Sequence, residues 1–254
     1  MAFNPYLFLY NTALVLGWGY CLYLTVETIF IKHGSTADLW KVVETPLKVS
    51  QTAAVMEVVH SAVGLVRSPV AITGMQVASR LWIVWGIINL APGEATRGSV
   101  MVGPKLPLPA PVGDFQPQLS LTTLLLAWSV TEVIRYGFFA VKEVLGSVPY
   151  PVLWLRYTTF IPLYPLGVAS ELTMVRLALP AIRSSRVGCI DMPNSFNFGF
   201  DYWLFCLLVV AGYIPGLPQL YLYMLAQRKK VLSGGAGSNG SAAATADRKK
   251  TKRS

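Results

Sequence analysis

The chain has 254 residues, of which 54% are hydrophobic and only 13% charged, with a mean hydropathy of +0.50; soluble globular chains carry roughly 25% charged residues, so that class is excluded. The formal net charge of +9 belongs to the C-terminal tail, because eight of the 21 Lys and Arg follow Gln227, leaving 13 basic against 11 acidic residues before it. No basic face with interleaved aromatics lies outside that tail, so nucleic acid is not an expected partner, and Cys21, Cys189 and Cys206 are too few and scattered for a disulfide framework or a metal site.

A membrane-crossing helix takes about 20 apolar residues, and six segments of that kind can be taken in order. The first runs from Tyr6 to Ile31, with no basic residue ahead of it and Glu27 as its first charge, so no removable signal peptide is expected. The polar stretch His33 to Lys48, with Asp38, Lys41 and Glu44, closes it. The second covers Val49 to Val66 and ends at Arg67-Ser68-Pro69, since the residue before a proline avoids helical geometry. The third runs from Ile72 to Leu90 with Gln76 and Arg80 inside it. Six prolines between residues 92 and 118 predict an extended, non-helical connection. The fourth segment is Leu119 to Leu145, the fifth Val152 to Ile182 with Pro162, Pro165 and Gly167 interrupting it, and the last Tyr202 to Leu225. Backbone groups freed by such prolines must be buried in protein or face a wet cavity.

The expected architecture is therefore an all-α, polytopic membrane bundle of six transmembrane helices over residues 1–232, followed by a flexible, basic, cytosolic tail over 233–254. The tail's Gly/Ser/Ala composition cannot bury a core. Lys250 and Lys252 stand at dilysine retrieval spacing for the endoplasmic reticulum, while a solvated basic tail drawn to anionic lipid is the alternative. Six spans put both termini on one side, and cytosolic termini place ten basic residues inside against seven outside.

Ionisable groups at membrane depth cost roughly 2.5 to 3.5 kcal/mol each, so those present point to pairing or function. In the fourth segment Trp128, Glu132, Arg135 and Tyr136 share one helical face, where the acid and base pair locally or across to another helix, a buried ion pair that orients the bundle. Glu57 and His60, one turn apart, suit a relay or half of a metal site; lacking a third ligand, His60 is read as a packed, hydrogen-bonded residue. In the fifth segment Tyr164 and Glu171 are seven residues apart, nearly two full turns, on one face with a rise of about 10 Å, which a kink at Pro165 would shorten. A phenol and a carboxyl in one cavity can divide acid and base duties. The competing reading is an interfacial tyrosine, with the glutamate paired to Arg156 or Arg176.

The runs Arg67-Ser68-Pro69, Trp128 to Tyr136, Leu155 to Thr158, Leu163 to Glu171, Ala178 to Pro180 and Met224 to Lys229 resemble the very-long-chain 3-hydroxyacyl-CoA dehydratases, the protein-tyrosine-phosphatase-like family, of the plant PASTICCINO type. The resemblance covers residues 6 to 230. It implies dehydration of (3R)-3-hydroxyacyl-CoA to trans-2-enoyl-CoA, the third step of fatty-acid elongation, in the endoplasmic reticulum membrane. It also implies the other elongase subunits as partners (condensing enzyme, ketoacyl reductase and enoyl reductase) and no cofactor or metal. The family's catalytic pair, in the motif Tyr-Pro-x-Gly-x-x-x-Glu, falls on Tyr164 and Glu171. Arg156, Tyr157, Gly167, Glu132, Arg135 and Tyr136 fall within the quoted motifs as substrate-binding or supporting residues. Glu171 is favoured as base and Tyr164 as proton donor, with the reverse left open.

The family's older name raises an alternative: a catalytically inactive, phosphatase-like membrane adaptor that binds phosphoproteins. His60-Ser61 followed by Arg67-Ser68 mimics a phosphatase loop, but Ser61 stands where the nucleophilic cysteine belongs. A small transporter is the third class, against which stands the lack of repeat symmetry.

Overall fold

In this computed structural model the described residues are 3–66, 68–107, 114–195 and 197–250, with side chains described for all of these except 106–107, 114–115 and 234–250. Nine α-helices and four short strands are described: α1 (Pro5–Val26), α2 (Thr36–Ala53), α3 (Val55–Ala62), α4 (Val70–Leu81), α5 (Pro92–Arg97), β1 (Ser99–Met101), β2 (Leu106–Pro107), β3 (Asp114–Phe115), β4 (Gln118–Ser120), α6 (Leu121–Leu145), α7 (Tyr150–Thr158), α8 (Phe160–Ser185) and α9 (Tyr202–Lys250). Glu27–Ile31 and Trp82–Ile88 extend α1 and α4 as π-helical turns. Among the described residues, five stretches are long and apolar enough to cross a membrane: Pro5–Ile31, Val70–Ile88, Leu121–Leu145, Tyr150–Ser185 and Tyr202–Ser233. That is the make-up of an all-α, multi-pass membrane protein.

The polar stretch expected to be a connection after the first span is instead helical. Ser35 caps α2, its hydroxyl accepting the Asp38 amide while the Asp38 carboxylate reaches back to the Ser35 amide. The charges on α2 are spaced to pair within one turn: Lys41 on Asp38 at 2.9 Å, and Lys48 on Glu44 at 2.5 Å. Lys48 also donates to Asn89 at 2.6 Å, tying α2 to the end of the third span. The segment expected as the second span is thus divided at Ala54 between α2, which carries these charges, and the eight-residue α3. Arg67, the expected end of that segment, lies outside the described residues.

The proline-rich connection departs from the expected extended form at its start. Pro92 occupies the first turn of α5, where its missing N–H is harmless and its fixed φ suits a helix. Beyond it β1 and β4 pair antiparallel, Ser99 opposite Ser120, and lead straight into α6. The fifth span also breaks earlier than Pro165. The break is at Thr159, because the Pro162 ring cannot accept the carbonyl of Thr158 four residues back; α8 then runs unbroken through Pro165 and Pro180.

The core lies along α6. Trp18 of α1 meets Trp128 edge-on with ring centroids 6.4 Å apart, and both rings are fully buried among Ile83, Ile87, Leu124, Leu125 and Met174. Gly17 lets α1 approach α2, since a Cβ there would sit 2.6 Å from the Ser50 hydroxyl. The outer helix α9 keeps Leu208, Ile214 and Leu222 exposed, surface that water would penalise and lipid accepts.

Candidate active site

The crossing of α8 over α6 is lined by small residues. A Cβ added to Gly167 would lie 3.7 Å from Ala127 and Trp128, ordinary contact, and one turn away the hydroxyls of Ser170 and Thr123 meet at 2.8 Å. Small residues let two helix backbones approach where lipid gives no hydrophobic drive for association. That approach carries Glu171 to Trp128: the indole Nε1 donates to Glu171 Oε1 at 3.0 Å, and the Tyr213 hydroxyl of α9 donates to Oε2 at 3.0 Å. Glu171 is 7% exposed and, among the described residues, makes no ion pair. Neither expected partner, Arg156 or Arg176, reaches it.

Tyr164 lies seven residues before Glu171 on the same unbroken helix, hence on one side of α8 with a rise of about 10 Å between them. No described hydrogen bond joins the two. Tyr164 is half-buried and its ring lies nearly parallel to that of Tyr221, with centroids 5.8 Å apart and planes 22° apart. Tyr221 also addresses the carbonyl of Ile161, at 3.4 Å. That carbonyl is the one whose amide partner Pro165 removes, so α9 satisfies the group freed by the proline beside Tyr164.

Behind Trp128 is a set of four charges. The Arg80 guanidinium lies over the Trp128 ring, 5.0 Å from its centroid, and pairs with Glu132. Glu132 accepts from Arg135 Nε at 2.8 Å, and Arg135 in turn grips Glu57 through both terminal nitrogens at 2.6 and 2.7 Å. Tyr136 donates to Glu57 as well. Two arginines against two glutamates leave no net charge, the condition under which buried ions are tolerated. The network joins α3, α4 and α6 and so carries Glu132, Arg135 and Tyr136 as a group. His60 sits at its edge, 2.7 Å from the Tyr6 hydroxyl and edge-on to the Tyr10 ring.

Arg156 and Tyr157 lie elsewhere. The Arg156 guanidinium is 5.0 and 4.8 Å from the ring centroids of Phe138 and Phe139, and Tyr157 meets Phe138 edge-on. Among the described residues, no contact links either to Glu171. The phosphatase-like segment is closed on itself: the Ser61 hydroxyl donates to the Ser68 carbonyl at 2.6 Å and accepts from the Ser68 hydroxyl at 3.0 Å. Arg67, its supposed anion-binding residue, lies outside the described residues.

Two residues that hold Glu171 escape a reading of the sequence. Trp128 is recognisable as sharing a face with Glu132, yet its partner is on another helix. Tyr213 is one of 12 tyrosines, and no spacing ties it to Glu171.

Comparison with known proteins agrees with the resemblance drawn from the motifs. A family model described as protein tyrosine phosphatase-like protein, PTPLA, matches residues 51–234. Very-long-chain (3R)-3-hydroxyacyl-CoA dehydratase PASTICCINO 2 of Arabidopsis thaliana is 42% identical over 228 residues, 90% of this chain and 93% of that one. The dehydratase hpo-8 of Caenorhabditis elegans is 43% identical over 237 residues, 93% of this chain and 98% of its own. Very-long-chain (3R)-3-hydroxyacyl-CoA dehydratase 2 of Homo sapiens is 37% identical over 91% of this chain and 82% of its own. No solved structure matches. The chain belongs to the protein tyrosine phosphatase-like family, PTPLA.

Proposed function

We propose that the chain dehydrates (3R)-3-hydroxyacyl-CoA to trans-2-enoyl-CoA, the third step of very-long-chain fatty-acid elongation, at a site built on Glu171 and Tyr164. The names of relatives that cover nearly the whole chain support the reaction. The observation that carries the site is the state of Glu171: a buried carboxyl held by two neutral donors and, among the described residues, in no ion pair. Two donors occupy two of its roughly four lone-pair positions, so the group is oriented and still able to take a proton. In this reading Glu171 takes the proton from C2, beside the thioester carbonyl. The Tyr164 phenol gives its proton to the C3 hydroxyl, which leaves as water as the C2–C3 double bond forms. Glu171 then releases the C2 proton to water and the Tyr164 phenolate takes a proton up from water, so the pair ends as it began.

The charge-balanced network behind Trp128 supports the site by fixing α6. Arg156 and Tyr157 support the N-terminal end of the same span through the rings they pack on. Purified protein given a 3-hydroxyacyl-CoA tests the assignment. Enoyl-CoA is the expected product, and Glu171→Gln and Tyr164→Phe each lower its rate by at least about 100-fold, the scale of a lost acid or base. Full activity in either variant refutes that residue's role.

The finer topology belongs to the same reading. The second crossing runs through the end of α2 and α3, six spans in all, so that both termini face the cytosol. Residues 1–232 are then the catalytic bundle and 233–254 a basic cytosolic tail. The endoplasmic reticulum is its membrane, and the condensing enzyme, the ketoacyl reductase and the enoyl reductase are its partners. The eight basic residues after Gln227 support this orientation, as positive charge is retained inside.

A further inference from the structure

The last span contributes to the site a residue that neither the catalytic motif nor its neighbours on α8 contain. Tyr213 donates from α9 to Glu171 Oε2 at 3.0 Å, while Trp128 donates from α6 to Oε1 at the same distance. The terminal torsion of a glutamate is broad, so one donor leaves the carboxyl plane free to swing. Two donors on opposite oxygens, anchored on different helices, fix it. We propose that Tyr213 is a positioning residue for Glu171, holding the carboxyl plane from α9 so that its open lone pairs face the C2 proton of the acyl-CoA.

The proposal rests on Glu171 being the base. It assigns a function to an otherwise peripheral helix: α9 keeps Leu208, Ile214 and Leu222 exposed, yet its inward phenols meet the reacting pair at both ends. Tyr221 lies against the Tyr164 ring and Tyr213 on the Glu171 carboxyl, eight residues apart on one helix. The active site is then closed by α6, α8 and α9 together.

The test uses full-length protein in detergent with (3R)-3-hydroxyacyl-CoA carrying either hydrogen or deuterium at C2. In Tyr213→Phe, kcat is expected to fall about 10- to 100-fold, the cost of a base misplaced by a fraction of an ångström to 1 Å. KM stays within about twofold, because ground-state binding is not touched. The isotope effect on kcat rises, because proton abstraction becomes slower relative to the other steps. Tyr223→Phe, which removes an exposed phenol from the same helix, leaves all three unchanged. Should Tyr213→Phe fold poorly, 4-aminophenylalanine and 4-methylphenylalanine at 213 fill the same space with and without a donor. The first is expected to keep most of the wild-type rate and the second to lose it. A wild-type kcat in Tyr213→Phe, or a loss with an unaltered isotope effect, overturns the proposal and leaves the base assignment standing. Full activity in Glu171→Gln removes the base assignment, and with it anything for Tyr213 to position.

Discussion

At the scale of single residues, the partners of Glu171 decide what it can do. A carboxylate gripped by an arginine is a structural ion; one held by an indole and a phenol keeps its charge unspent. The arginine nearest to the site, Arg80, is taken up by Glu132 and lies over the Trp128 ring. Trp128→Phe therefore keeps an aromatic platform for Arg80 and Trp18 but removes the donor to Oε1. With one donor lost the base is no longer held in place, so kcat in a steady-state assay is expected to fall roughly 10- to 100-fold; the lost hydrogen bond to a charged group, worth about 1.5–3 kcal/mol, lowers the melting temperature as well. Outside the membrane, the Ser35 hydroxyl and the Lys41 ammonium hold the Asp38 carboxyl down at about 2. A depressed folded value means that the cap contributes above the unfolded value near 3.9 and is lost as pH falls through about 2. Hydrogen exchange at the first turn of α2 is expected to quicken over that window, and Asp38→Asn to abolish the dependence. The shared helix face of Tyr164 and Glu171 and the pairing of Glu132 with Arg135 were legible from spacing, because those relations lie along one helix. The clamp on Glu171 was not, because both of its donors come from other helices.

At the scale of elements, α6 is the post on which the rest is mounted. It buries Trp128 against α1, receives Glu171 of α8 and carries Glu132 and Arg135 into the charged network. Breaking a buried charge set by removing one member strands the others, at a cost of about 3–5 kcal/mol. Glu132→Gln, which leaves Arg80 without its partner, is expected to lower the thermal midpoint in detergent markedly, whereas Asp191→Asn, at the exposed pair with Arg186, leaves it unchanged. The apolar spans α1, α6 and α8 were legible in the sequence because lipid demands long, mostly apolar helices. The segment between residues 33 and 66 was not. There Asp38, Lys41, Glu44 and Lys48 look like a polar connection when counted by hydropathy. Their pairing within one turn shows that they serve a helix instead. The break in the fifth span was anticipated from its prolines but falls at Thr159, where Pro162 meets the carbonyl four residues before it.

At the scale of the whole molecule, the long apolar helices and the charge-balanced network inside them describe a multi-pass bundle, and the proposed function has that bundle act on an acyl-CoA. The proposed orientation can be read without touching the chemistry. Asn239-Gly240-Ser241 is a glycosylation sequon in the tail, and a cytosolic tail leaves it unmodified in a microsomal glycosylation assay. A glycan there would place the tail in the lumen. The central claim, that a buried carboxyl on α8 moves the proton at C2, has its most direct test in heavy water. Wild-type protein is predicted to incorporate deuterium at C2 when trans-2-enoyl-CoA is hydrated in the reverse direction, and Glu171→Gln to leave the substrate unlabelled and unhydrated. Deuterium delivered to C2 at the wild-type rate by Glu171→Gln would contradict the account.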